Sequence, residues 1–97
     1  MRRTNVQPIG EILRDFFEDN PEIYEKIMEV RIERTWPKIL GPMAQQYTSL
    51  MYVRDRILYV YMKSAVLRTE LLYCKDKLRD SINKELGSGY MFDLVIR

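Results

Sequence analysis

The 97-residue sequence contains no histidine and only one cysteine, Cys74. One cysteine cannot form an intramolecular disulfide, and the absence of histidine removes a common zinc ligand. These absences predict a reducing, cytoplasmic setting and no metal site. The longest uninterrupted apolar run, residues 57–62, is too short to cross a bilayer. The first residues, MRRTNVQPIGEI, lack the apolar stretch of a signal peptide, so we expect none.

Catalytic motifs are also missing. The chain has no nucleophile elbow, no P-loop and no dinucleotide-binding fingerprint. Without histidine, a general base would have to be a carboxylate, or a lysine, cysteine or tyrosine with a shifted pKa. We therefore predict that the protein is not an enzyme and needs no cofactor.

The first third of the sequence has the periodicity of amphipathic helices. Apolar residues at helical spacing predict a first helix over residues 8–18. Asn20 is a typical N-cap and Pro21 a typical first residue of a second helix. Because Pro37 disfavours the helical conformation of the residue before it, we expect the second helix to end near residues 34–35. The apolar stripe of the first helix comprises Ile9, Ile12, Leu13, Phe16 and Phe17. The expected buried stripe of the second comprises Ile23, Tyr24, Ile27 and Met28, with Val30 and Arg31 as an extension.

From Ser49 onward the pattern alternates with a period of two. The segment LMYVRDRILYVYM predicts a hairpin of two strands joined at Asp55 and Arg56, although Asp-Gly is the favoured turn pair. Ser64 is predicted to cap a long third helix that ends at Gly87. The last segment, YMFDLVIR, alternates again and predicts a third strand. The third helix has an apolar stripe formed by Leu67, Leu71, Cys74, Leu78, Ile82 and Leu86. Cys74 is expected to be an inert core residue.

The predicted element order is α-α-β-β-α-β, within a single domain spanning residues 1–97 whose residues 1–7 are expected to be flexible. A three-stranded sheet with all helices on one face is the simplest way to bury these stripes. We therefore predict a KH-like two-layer α+β domain. Alternate strand residues point to opposite faces of a sheet. The inward set is predicted to be Met51, Val53, Leu58, Val60, Met62, Phe92, Leu94 and Ile96. The outward set is predicted to be Leu50, Tyr52, Arg54, Ile57, Tyr59, Tyr61, Met91, Asp93, Val95 and Arg97.

The outward sheet face is predicted to bind a partner. With the helices on the other side, its tyrosines form an open aromatic surface of the kind used for docking. Its candidate partner-binding residues are Tyr52, Tyr59, Tyr61 and Ile57. Two other interpretations remain open, because tyrosine is also common on solvated strands and the same face could pair two copies of the chain.

Basic residues around the N-terminus, the hairpin and the third helix predict a weak nucleic-acid surface. Contacts from these residues would be to phosphates, and therefore salt-sensitive and independent of base sequence. The candidates are Arg2, Arg3, Arg54, Arg56, Lys63, Arg68 and Lys75. On the third helix, carboxylates at helical spacing favour an ordinary salt-bridged face instead. No GxxG motif is present, so an RNA clamp of the KH type is not expected.

The region around the only tryptophan and the segments after it form an ordered set of residues typical of one protein family. Trp36, Gly41 and Thr48 precede the hairpin, and the run LYVYMKSAVLRTELLY contains the serine that starts the third helix and Leu71. Leu86, Gly87 and the last strand complete an ordered set that resembles the DciA family over nearly the whole chain. Trp36 itself is interpreted mainly as a core residue at the junction of helices and sheet, with partner binding as the alternative.

The resemblance implies a bacterial protein that helps to load the replicative DNA helicase by binding helicase and DNA, without catalysis. It also implies a fold similar to a KH domain and to the N-terminal domain of the replication initiator. Two features depart from the family pattern. Arg56 replaces a frequent turn glycine, and the long basic tail of many members is absent, so we expect DNA binding to be weak. A protein-only interaction module or a homodimer built on the tyrosine-rich face is the alternative.

Overall fold

The structure, a computed structural model, describes residues 7–97, with side chains from Leu13 onward. Within this part of the chain, five helices and three strands follow one another. They are α1 (Gln7–Asp19), α2 (Pro21–Leu40), α3 (Pro42–Tyr47), β1 (Thr48–Arg54), β2 (Ile57–Met62), α4 (Ala65–Tyr73), α5 (Lys75–Leu86) and β3 (Asp93–Ile96). The predictions for Arg2 and Arg3, and the predicted flexibility of residues 1–7 apart from Gln7, lie outside the described residues; Gln7 is the first residue of α1. Between residues 7 and 97, no helix is both long and apolar enough to span a membrane.

The three strands form one sheet in the order β1-β2-β3. β1 and β2 are antiparallel, whereas β2 and β3 are parallel, so α4 and α5 form the crossover that a parallel pair requires. Asp55 and Arg56 both have positive φ, at 53° and 65°, which is the geometry of a tight type I′ hairpin turn. The predicted α+β class and the predicted hairpin are confirmed.

Helices α2 to α5 pack on one face of this sheet, and α1 packs on α2. Leu58, Val60 and Met62 of β2 are buried, as are Leu94 and Ile96 of β3. They meet the buried residues of the helical layer, which are Met28, Ile32, Trp36, Ala44, Leu71, Leu78, Ile82 and Leu86. This is the predicted two-layer, KH-like arrangement, with the helices on one side.

Trp36 lies at the junction between the helical layer and the sheet. Its side chain is almost completely buried, and its Nε1 donates a hydrogen bond to Thr48 Oγ1 at 3.1 Å. The indole therefore fills the core while its polar atom is satisfied by the first residue of β1. This burial agrees with the core interpretation.

The prediction that the second helix ends near residues 34–35 is wrong. α2 continues through Pro37 to Leu40 and ends at Gly41, whose N–H bonds to Pro37 O at 2.8 Å. The proline ring disfavours a helical residue before it but does not forbid one. Here Trp36 is held in helical geometry by its burial, and exposed Pro37 lies on the solvent side of the helix.

The predicted long third helix is two helices, α4 and α5, which meet at Cys74. Ser64 caps the first of them, because its Oγ accepts the Leu67 N–H at 3.1 Å, and left-handed Gly87 ends the second. The break leaves α4 packed against β2 and β3 and lets α5 pack against α2 and β3. Cys74 is half-buried and packs at the edge of the core, where its Sγ lies 3.6 Å from Glu70 O.

The predicted facing of Met91 and Phe92 is also wrong. Met91, expected outward, is buried, and Phe92, expected inward, is 71% exposed. The alternation fails because β3 begins only at Asp93. Met91 lies in the loop before β3. There the Asn83 side chain donates to Met91 O and accepts from the Met91 N–H, at 2.9 Å each, and the Met91 side chain turns into the core.

Candidate functional site

The outward face of the sheet has a column of three stacked tyrosines. Tyr52 and Tyr59 lie directly opposite each other across the hairpin, with ring centroids 4.8 Å apart and planes within 13°. Tyr61 continues the column diagonally, at 6.3 Å from Tyr52. Cross-strand aromatic pairs of this kind stabilise a hairpin. The sequence-predicted partner-binding tyrosines therefore form one continuous aromatic surface, and half-buried Ile57 lies on the same face of β2.

Arg97, at the end of the chain, adds a positive charge to the tyrosine column. Its guanidinium lies 5.7 Å from the Tyr59 ring centre, and its Nη1 donates to Tyr61 Oη at 3.3 Å. Hydrogen bonding between the Tyr52 and Tyr61 hydroxyls raises the pKa of Tyr52 and lowers the pKa of Tyr61. Arg97 lowers the pKa of Tyr61 further. The alternating pattern predicted that Arg97 lies on this face. Its contacts with the tyrosine column were not predictable, because Arg97 follows the last residue of β3.

Two of the predicted phosphate-binding residues are exposed cations next to the tyrosine-rich face. Arg54 is the last residue of β1 and lies two residues after Tyr52, so it is on the same face. Lys63 follows β2, where its backbone N–H bonds to Tyr47 O at 2.7 Å. Both side chains are at the border of the sheet rather than in the helical layer, a position from which they can reach an extended anionic ligand.

Arg56 has a different environment from Arg54. Its Nε donates to Tyr90 O at 2.7 Å, its Nη2 lies 3.4 Å from Gly89 O, and its guanidinium stacks 5.0 Å from the Tyr90 ring. The side chain thus ties the hairpin turn to the loop before β3. This gives a physical reason for an arginine where the turn alone would favour glycine.

Arg68 and Lys75 are likewise bonded within the chain. Arg68 Nη2 donates to Met62 O at 3.0 Å and holds the start of α4 to the end of β2. Lys75 Nζ lies 3.3 Å from Asp93 Oδ1 and links α5 to β3. The Leu94 N–H, and then Lys75, lower the pKa of the Asp93 carboxyl. The structure therefore brings Arg54 and Lys63, but not Arg68 and Lys75, to the border of the tyrosine column.

Charge is unevenly distributed over the fold. Residues 13–33, which cover α1 from Leu13 and the first part of α2, contain seven carboxylates and three cations. Residues 48–63, which form the hairpin and the residue after it, contain three cations and one carboxylate. An anionic ligand such as nucleic acid is therefore attracted to the hairpin side and repelled from the α1 side.

Aromatic contacts connect these two sides. Phe17 of α1 packs on Tyr24 of α2 at 5.3 Å, and Tyr24 packs on Tyr90 at 5.9 Å. The Tyr90 hydroxyl donates to Glu25 Oε2 at 2.9 Å; burial first, and then this carboxylate, raise the pKa of Tyr90. Among residues 7–97, no group of three or more histidine, cysteine, aspartate and glutamate side chains is placed to hold a metal ion.

Comparison with known protein families gives a match over most of the chain. The family model described as "Dna[CI] antecedent, DciA" matches residues 8–96, which is nearly the whole chain. The chain belongs to the DciA family. No curated protein and no solved structure gives a significant match.

Membership of the DciA family gives the chain a helicase loader-like role in DNA replication. The family is associated with the replicative helicase and is an accessory family rather than a known catalytic one. The resemblance drawn from Trp36, Gly41, Thr48 and the hairpin is thus confirmed.

Proposed function

We propose that this DciA-family protein is a non-catalytic replication accessory module of the cytoplasm that binds the replicative helicase and binds DNA weakly through phosphate contacts. The observation that supports DNA binding best is the open tyrosine column bordered by Arg54 and Arg97. Aromatic faces and edges accept nucleobases without regard to sequence, and the arginines supply charge for the backbone. Base stacking and phosphate contact together suit a protein that acts on single strands of any sequence.

Fewer residues are proposed to contact phosphate than the seven basic residues suggested by the sequence. Arg54 and Lys63 are exposed at the border of the tyrosine column, whereas Arg56, Arg68 and Lys75 are occupied with backbone carbonyls or Asp93. A side chain already bonded within the fold must give up those contacts before it can neutralise a phosphate. We therefore assign the direct phosphate contacts to Arg54 and Lys63, and a shape-maintaining role to the other three. Arg97 is added to the contact set because its side-chain hydrogen bond is a long, exposed one, to Tyr61 Oη at 3.3 Å.

DNA binding is tested by fluorescence anisotropy of a labelled single strand across a range of salt concentrations. Affinity should fall as salt rises, and Arg54→Glu should weaken binding and reduce the salt slope by about 0.7 to 1. Lys77→Glu is the matched control, because Lys77 is an exposed cation on α5, in the helical layer. Binding that is absent at low salt, or insensitive to salt, would contradict the phosphate contacts.

Helicase binding is tested separately with the purified replicative helicase of the same organism. The protein should co-purify with the helicase and should promote its loading onto single-stranded DNA. No interaction even at low salt would refute the helicase part of the proposal, whatever the DNA result.

The alternative function is protein-only association through the tyrosine-rich face. It is favoured by Leu50, an apolar residue of β1 that lies 52% exposed on that face. A second copy or another protein would remove Leu50 and the ring edges from water. Light scattering decides between the two: a concentration-dependent dimer that Tyr59→Glu or Tyr61→Glu abolishes would support this alternative.

A further inference from the structure

An open groove between α1 and α2 exposes apolar side chains, of which Tyr24 alone also packs against the core. It has a volume of about 620 Å³, and its apolar lining consists of Leu13, Phe17, Pro21 and Tyr24. Phe16 on α1 and Ile23 and Ile27 on α2 are further apolar side chains, each more than one third exposed. The stripe of α1 was expected from the sequence, but Leu13 and Phe16 remain in solvent rather than entering the core.

The surroundings of this groove are acidic. Glu18 and Glu25 line it, with Arg14 as the one lining cation among its described residues. Asp15, Asp19 and Glu22 are exposed on the same two helices, and so is the cation Lys26. An apolar groove bordered by carboxylates favours a ligand with apolar side chains flanked by positive charges.

This charge distribution discriminates among the possible occupants. Nucleic acid is disfavoured, because its phosphates would approach an excess of carboxylates. A symmetric contact between two copies is also disfavoured, because an isologous interface would bring the same carboxylates of both copies together. A positively charged protein segment has neither problem.

We propose that the α1–α2 groove binds a helical segment of a partner protein whose apolar stripe is flanked by lysine or arginine. A helix is the element whose side chains at positions i, i+3, i+4 and i+7 can fill an elongated apolar groove. The identity of the partner rests on the proposed function, under which the segment belongs to the replicative helicase. The chemistry of the groove does not depend on that identity.

The chemistry is tested with two labelled synthetic 18-residue amphipathic peptides, one built from leucine and lysine and the other from leucine and glutamate. By fluorescence anisotropy, the intact protein should bind the leucine–lysine peptide about tenfold or more tightly than the leucine–glutamate peptide. Leu13→Ser and Glu18→Lys should each weaken binding of the leucine–lysine peptide about fivefold.

The chain provides matched controls for both substitutions. Leu72 on α4 is 48% exposed, against 46% for Leu13, and Glu70 on α4 is an exposed helical glutamate like Glu18. Leu72→Ser and Glu70→Lys should leave peptide affinity within about twofold of the wild type. Equal losses in test and control variants, or no preference for the basic peptide, would overturn the proposed groove.

The same four variants are then measured against the purified replicative helicase. If Leu13→Ser and Glu18→Lys weaken both probes, the groove is the helicase contact. If the peptide results hold but wild-type protein does not bind the helicase, the proposed function fails and the groove stands. If the helicase binds all variants equally and the peptide shows no preference, the groove inference is wrong and the proposed function stands.

Discussion

At the scale of single residues, the indole of Trp36 combines packing with one buried hydrogen bond. Its Nε1–H has Thr48 Oγ1 as partner, and the same oxygen lies 3.8 Å from Met62 Sδ, so helix and sheet meet at this atom. Burying a polar group is tolerated when it is hydrogen-bonded and costly when it is not. Trp36 is therefore a structural residue that joins the two layers.

Trp36→Phe should lower the free energy of unfolding by about 2 kcal/mol, through lost contacts and volume. Thr48→Val should cost about 1 to 2 kcal/mol, because it leaves the indole N–H buried without a partner. Urea denaturation followed by circular dichroism measures both changes. The double variant should cost less than the sum of the two, since the hydrogen bond can be lost only once. Strict additivity would show that the hydrogen bond contributes nothing.

Some residue roles were predictable from sequence because their chemistry is local. Ser64 as an N-cap and Gly87 as a left-handed C-cap depend only on neighbours within four residues, and the structure confirms both. The roles of Arg56 and Arg68 depend on carbonyls that the fold brings near. Arg56 meets Tyr90, which is 34 positions away in sequence, so charge pattern alone could not separate it from Arg54.

At the scale of elements, tertiary packing set the helix boundaries that the sequence pattern predicted wrongly. Pro37 signals a helix end, but burial of the residue before it keeps α2 helical to Leu40. No glycine or proline marks the break at Cys74, which arises because α4 and α5 pack in different directions. Periodicity predicted which elements exist, whereas these boundaries depend on contacts distant in sequence.

Asn83 sets the start of β3, and its replacement should loosen that strand. Asn83→Ala removes both hydrogen bonds to buried Met91 and should cost about 3 kcal/mol. Asn83→Asp keeps the acceptor for the Met91 N–H but places a carboxylate oxygen against the Met91 carbonyl oxygen, so the loss should be at least as large as for alanine. Hydrogen exchange of the β3 amides should rise in the same order. If the β3 amides of Asn83→Ala exchange at the wild-type rate, β3 is positioned by its other contacts.

At the scale of the whole molecule, the fold separates two surfaces of opposite charge. The acidic α1–α2 groove and the cationic border of the tyrosine column belong to different parts of the chain. Segment composition was visible in the sequence, but the groove was not, because its exposed apolar residues have the same periodicity as core residues. If the proposed protein and DNA surfaces are both correct, their separation allows the two ligands to be bound at the same time.

Separation of the two surfaces predicts that each can be disabled without the other. Arg54→Glu should weaken single-stranded DNA binding about fivefold and leave affinity for the leucine–lysine peptide unchanged, whereas Glu18→Lys should weaken the peptide and not the DNA. Both affinities should be measured by anisotropy at about 0.1 M salt, where charges more than about 10 Å apart are largely screened and each substitution acts locally. If either variant weakens both ligands while its circular dichroism spectrum remains that of the wild type, the two ligands share one surface.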